Sequence, residues 1–149
     1  MVRVGRHRRF KLTDIAQQVV GGFLLAGPFV VTDEVWALAV GMEWYQALLT
    51  VGMVFTIGYG TLYKADDDRD PDREAEVGGV PLRFVSLILV SYLSVFILAL
   101  SFDAPATLIP NHMDAAEITF RTQVFVTAKA TSIGAVFSVI GAATADSVF

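Results

Sequence analysis

Residues 82–102 read LRFVSLILVSYLSVFILALSF. Beyond Arg83, which belongs with the preceding loop, the stretch carries no charge. It is about as long as the ~20 apolar residues that cross a ~30 Å hydrocarbon core. Residues 44–63, WYQALLTVGMVFTIGYGTLY, form a second uncharged stretch of the same kind. Any hydropathy window marks both. Two further apolar stretches flank them. The one at 15–40 is interrupted by Gly27-Pro28 and by Asp33-Glu34. The one at 118–145 contains Arg121 and Lys129. These four stretches predict an all-α integral membrane four-helix bundle, running up-down-up-down, with residues 1–149 as a single transmembrane domain.

Composition points the same way. The 149 residues are 54% hydrophobic and 17% charged, with a mean hydropathy of +0.58. A soluble domain carries about 45–50% apolar and about 25% charged residues. A disordered chain would need low hydrophobicity and high net charge. No cysteine is present, and the histidines are His7 and His112. This excludes disulfides, thiolate metal sites and multi-histidine metal centres, so no metal or cofactor is expected. Net charge is −4, with Arg outnumbering Lys eight to three and Asp outnumbering Glu ten to five. An acidic, Lys-poor polar surface suits a halophilic source.

Orientation follows from the basic residues, which mark cytoplasmic loops. Arg3, Arg6, Arg8, Arg9 and Lys11 precede the first stretch, and Lys64, Arg69, Arg73 and Arg83 lie between the second and third. The turn 41–43 and the loop 103–117 have none. Both termini and the 64–83 loop are therefore expected in the cytoplasm of a multi-pass cell-membrane protein. The first stretch is too long for a signal-peptide core and lacks a small-residue cleavage site, so it reads as a retained span. Trp36, Trp44, Tyr45, Phe102 and Phe120 fall near the outer ends and Phe10, Tyr63 and Phe84 near the inner ends, as interfacial aromatic belts do.

Several motifs invite sharper readings. Asp66, Asp68, Asp70 and Asp72 alternate as in a calcium-binding loop, but Pro71 stands where the turn glycine belongs and Val77 where the bidentate Glu belongs. A solvated acidic loop fits better. The basic run before the first span suits anionic lipid rather than nucleic acid. Gly134, Ser138 and Ala142 recur every four residues, a small-xxx-small face for close helix packing within or between protomers. Gly52, Gly58 and Gly60 offer the same in the second span. Asp33-Glu34 carries the most information, since ionisable groups inside spans mark functional sites by default. One reading makes it an interfacial carboxylate after the Gly27-Pro28 kink, with Thr32 as N-cap. Lys129 lies ~16 Å below the outer start of its span, close to mid-bilayer. An ion pair between Lys129 and Glu34 or Asp33 would satisfy both groups. Asn111, His112 and Asp114 read as loop structure.

The stretch Gly27-Pro28-Phe29-Val30-Val31-Thr32-Asp33-Glu34-Val35-Trp36 resembles the first-span signature of an integral membrane protein family catalogued as domain of unknown function 2391. Ser132-Ile133-Gly134-Ala135 is similar to another of its stretches, and the short acidic form resembles its halophilic archaeal members. Asp33 stands where that pattern has an apolar residue. The resemblance implies a membrane fold and supplies no activity. In architecture alone, the face Val20, Phe23, Gly27, Val30, Glu34 looks like the pore helix of four-span store-operated calcium channels.

Two functions remain open. In the first, the protein is a homo-oligomeric cation channel for monovalent or divalent ions. Glu34 forms its outer carboxylate ring, Asp33 lies beside it in the ion pathway, and Val30 and Phe23 form a dewetting constriction. In the second, it is a non-conducting structural or accessory membrane protein whose charges form a structural ion pair. No span holds a histidine or cysteine, so an enzyme is not expected. The nine-to-none basic asymmetry yields one prediction. A cysteine at Ala75 is labelled only from the cytoplasmic side, and one at Ala115 only from outside. Labelling of both from the same side would overturn the topology.

Overall fold

The computed structural model describes residues 10–64 and 76–148. The basic residues at 3–9 and the acidic loop at 65–75, including Arg69, Arg73 and the alternating aspartates, lie outside the described residues. The described residues are all-α, with six α-helices: α1 (Leu12–Val30), α2 (Asp33–Gly41), α3 (Trp44–Tyr59), α4 (Leu82–Ser101), α5 (Ala104–Leu108) and α6 (Phe120–Val148). A π-helical turn, Gly60–Lys64, extends α3. Short 3-10 turns, Ile109–Asn111 and Ala115–Glu117, complete the segment between α4 and α6. α4, with 20 residues, and α6, with 29, are each long and apolar enough to cross a membrane. α1 and α2 pass that test only as one broken span, bent by 80°.

Local signals set the helix starts. The Asp14 carboxylate accepts the Lys11 backbone N–H at 2.8 Å, and the Gln46 side chain accepts that of Glu43 at 2.8 Å. Each side chain reaches back to the backbone ahead of its helix, as the Glu or Gln of a capping box does. A short antiparallel hairpin, β1 (Glu76–Val77) and β2 (Val80–Pro81), leads into α4. Its two-residue turn places Gly78 at φ 59° and Gly79 at φ 85°. Positive φ at both positions is the type I′ geometry that closes tight hairpins, and glycine adopts it without steric cost.

The first apolar stretch is two helices, not one kinked helix. The break falls at Val31 and Thr32, beyond Pro28, which stays inside α1. A helix end leaves carbonyls without intrahelical partners. Here the Thr32 hydroxyl donates to the Phe29 carbonyl at 2.7 Å, and the Trp36 indole N–H donates to the Val30 carbonyl at 2.8 Å. Thr32 stands at the N-cap position of α2, but its side chain turns back to α1 rather than capping α2. Trp36 is fully buried rather than interfacial. It completes a core with Ala26, Val30, Val95, Ala99, Ile109 and Val126.

α1, α4 and α6 pack on one another, and α3 packs against α6. Closest approach is between α1 and α6. A Cβ built on Gly21 would collide with the Gly141 carbonyl, and one on Gly141 with the Gly21 carbonyl. The neighbouring turn is nearly as tight. A Cβ on Gly22 would lie 3.0 Å from Ser94 Oγ and 3.1 Å from Ser138 Oγ. The Ser138 hydroxyl donates to the Gly22 carbonyl at 3.1 Å. The predicted small-residue face therefore packs inside the chain: Gly134 abuts Val95, Ser138 bonds Gly22, and Ala142 is fully buried.

Gly141→Ala tests this contact. Overpacking costs ~1–3 kcal/mol, more than the ~1 kcal/mol alanine gains in helix propensity, because the obstructing atoms are backbone. The melting temperature in mild detergent should fall. Gly52→Ala, whose Cβ enters open space, should leave it unchanged or raise it.

Candidate functional site

A buried polar cluster lies where the start of α1, the start of α4 and the end of α6 converge. Arg83, one residue into α4, has a side chain only 1% exposed. Its Nη1 donates to Asp146 Oδ1 at 2.6 Å, and Asp146 is itself sealed from solvent. Its Nη2 reaches Asp14 Oδ2 at 3.4 Å. The guanidinium also lies over the Phe10 ring, 5.2 Å from its centroid. Gln18, fully buried on α1, joins the cluster from the side. Its amide donates to Asp146 Oδ2 at 3.1 Å and more weakly to the Arg83 carbonyl at 3.4 Å. Its own oxygen accepts the Ser86 hydroxyl at 2.8 Å.

Each bond joins different helices, so the cluster fixes their relative positions. A buried charge is tolerated only when paired and hydrogen-bonded, and Arg83 and Asp146 meet both conditions. The arrangement has no histidine, cysteine or unsatisfied nucleophile. Among the described residues no group of three or more His, Asp or Glu side chains could hold a metal ion.

The residues singled out in the sequence are dispersed. Val30 is fully buried in the chain's own core, whereas Val20 is 64% exposed and Phe23 half-buried. The bend after Val30 takes Glu34 off the face of α1, so the five-residue face from Val20 to Glu34 does not continue as one line. Glu34 and Asp33 are exposed at the start of α2. Asp33 accepts a hydrogen bond from Asn111 Nδ2 at 3.0 Å. Lys129 does not meet Glu34. Its ammonium donates to the Met42 carbonyl at 2.6 Å, at the far end of α2. A cation there complements the negative end of the helix dipole. Eight residues of helix at ~1.5 Å each put about 12 Å between Glu34 and that carbonyl.

Sequence reasoning missed the Arg83–Asp146 pair because Arg83 counted as a loop charge and Asp146 lay one residue past the expected end of the last span. An acidic residue continuing a small-residue helix, matched by an arginine at a helix start, was the available signal.

Long apolar helices with a buried ion pair satisfied inside the chain define the class: this is an α-helical integral membrane protein. The particular family follows from the sequence model that matches residues 4–145, described as "Putative integral membrane protein (DUF2391)". The chain belongs to that family. Comparison with curated proteins and with solved structures found no match.

Arg83→Met should be strongly destabilising. It strands Asp146 in a dry site, and breaking a buried pair costs about 3–5 kcal/mol. Thermal unfolding in detergent measures the loss. A shift no larger than that of an exposed control such as Arg121→Met would show that the pair is hydrated.

Proposed function

We propose that this protein is a non-conducting structural or accessory component of the cell membrane, crossing it several times. The observation that carries the reading is that the charged groups Arg83, Asp146 and Lys129 find partners within the chain. Arg83 is paired with Asp146, Lys129 is bonded to the Met42 carbonyl, and Val30 is closed inside the core. A channel of the expected kind needs Val30 facing an axis shared between copies. α3 and its π-helical extension run unbroken from Trp44 to Lys64. At ~1.5 Å per residue that run is about 30 Å long, which supports a fourth span beside α4, α6 and the broken α1–α2 pair. The Asp-rich, Lys-poor polar surface supports a halophilic source, so assays belong at high salt.

One observation favours the second reading, a homo-oligomeric cation channel. Glu34 is exposed and makes no ion pair with a described residue. Flux separates the two. Purified protein in liposomes should pass potassium or calcium no faster than empty vesicles, and Glu34→Gln should change neither flux nor stability. Cation flux above the empty-vesicle level that Glu34→Gln abolishes, in a variant that still folds, would replace this reading with the channel.

A further inference from the structure

Buried contacts between helices give each residue a height along the bundle. The zero level is where Arg83 of α4 meets Asp146 of α6. Counted from there along each helix, Ser101 stands about 27 Å up and Lys129 about 26 Å up. A Cβ on Gly58 of α3 would press on Val139 and Leu87, so Gly58 stands about 8 Å up and Trp44 about 29 Å up. Aromatic side chains gather at both levels. Phe10 and Phe84 flank Arg83 at the bottom, and the exposed Trp44 and Phe102 stand at the top. These tiers are about 30 Å apart, the thickness of a hydrocarbon core bounded by interfacial aromatics. α6, with 29 residues, alone runs on past the upper tier and carries Phe120 outward.

The α1–α2 elbow falls just below that tier. Gly21 lies backbone to backbone with Gly141, which is about 8 Å up, so Val30 at the end of α1 is about 21 Å up. The other end of α2 is set independently, by the bond from Lys129 to the Met42 carbonyl at about 26 Å. The bend agrees. α2 has nine residues and turns 80° from α1, so its length of about 14 Å advances only about 2 Å along the α1 axis. A depth of about 5–10 Å below the headgroup level is where a helix lying in the membrane plane settles.

α1 needs no help from α2 to cross. Its 19 residues span about 28 Å. Asp14 and Gln18, which lower its hydropathy, are bonded within the Arg83 cluster. On α2, Val35, Trp36 and Ala39 are buried, and Asp33, Glu34, Leu38 and Gly41 are exposed. Asp33 is turned to Asn111 in the connection between α4 and α6. Leu38, five residues on, lies about 140° round the helix from it.

We infer that α1 alone crosses the bilayer and that α2 is a membrane-plane helix. It lies at the boundary of acyl chains and headgroups in the leaflet opposite Arg83, and its partner surface is lipid. Leu38 enters the acyl chains, and the carboxylates of Asp33 and Glu34 stay at headgroup level. Lys129, expected near mid-bilayer, becomes an interfacial cation. The inference rests on the multi-pass reading and narrows its first span to α1.

The chain has no cysteine, so a single cysteine carries a nitroxide to one site. Val31, Leu38 and Gly41 are exposed, and a Cβ on Gly41 enters open space. Val31→Cys, Leu38→Cys and Gly41→Cys, each in the full chain in lipid nanodiscs, are compared by collision with oxygen and with a water-soluble nickel chelate, which together report depth. Leu24→Cys, exposed on α1 and about 12 Å above the Arg83 level, is the deep control. The three elbow sites should all be shallow and differ by about 5 Å or less, whereas a straight continuation of α1 spreads them over about 15 Å. With Leu24 deep, a spread of about 10 Å or more in either direction, or three equally deep sites, overturns the membrane-plane helix alone. A shallow Leu24 overturns it together with the multi-pass reading.

Discussion

Everything at the centre of this molecule depends on how closely α1 and α6 approach. Gly21 and Gly141 place backbone against backbone, with no room for a methyl group on either. Helix association inside a bilayer draws on van der Waals packing and interhelical hydrogen bonds, since lipid tails are as apolar as a leucine side chain. Close approach therefore supplies the attraction itself. It also sets the distance at which Ser138 reaches the Gly22 carbonyl and at which Gln18 and Asp146 can meet across the same two helices. Were the helices further apart, the Arg83–Asp146 pair would lose its amide partner, Gln18.

The two ends of the packed helices use different chemistry. At the Leu12 end, a charged cluster ties three helices through Arg83. At the other end, an elbow ties α1 to α2 through neutral donors, Thr32 and Trp36, on the last carbonyls of α1. Lys129 then secures the far end of α2 through the Met42 carbonyl. α2 is thus held at both ends, by an indole at the start and an ammonium at the finish. Its exposed carboxylates, Asp33 and Glu34, are left at the corner where the α4–α6 connection arrives.

The fold class was legible in the sequence, and much of the site was not. The apolar runs at 44–63 and 82–102, uncharged but for Arg83, coincide closely with α3 and α4, because a segment that apolar and that long matches the thickness of a bilayer. Gly134, Ser138 and Ala142 were legible as a packing face, since period-four small residues share a side of a helix. The start of a new helix after Thr32 was legible, but the kink was placed at Pro28, because a proline near a helix end can be tolerated and the indole that stabilises the break lies six residues from its acceptor. Trp36 read as interfacial because tryptophan is common there. Burial of its ring is a property of the elbow.

By itself the sequence determined that this chain is helical and membrane-embedded. With no water in the hydrocarbon to bond the backbone, a long apolar segment of this kind must satisfy its own amides, and the helix does so locally. Only the tertiary structure decided which charge meets which partner. Arg83 and Asp146 are 63 positions apart and Lys129 and Met42 are 87, and no periodicity links residues so distant. Those pairings follow from which helix faces come together. That, in turn, was decided by where glycine lets one backbone lie against another.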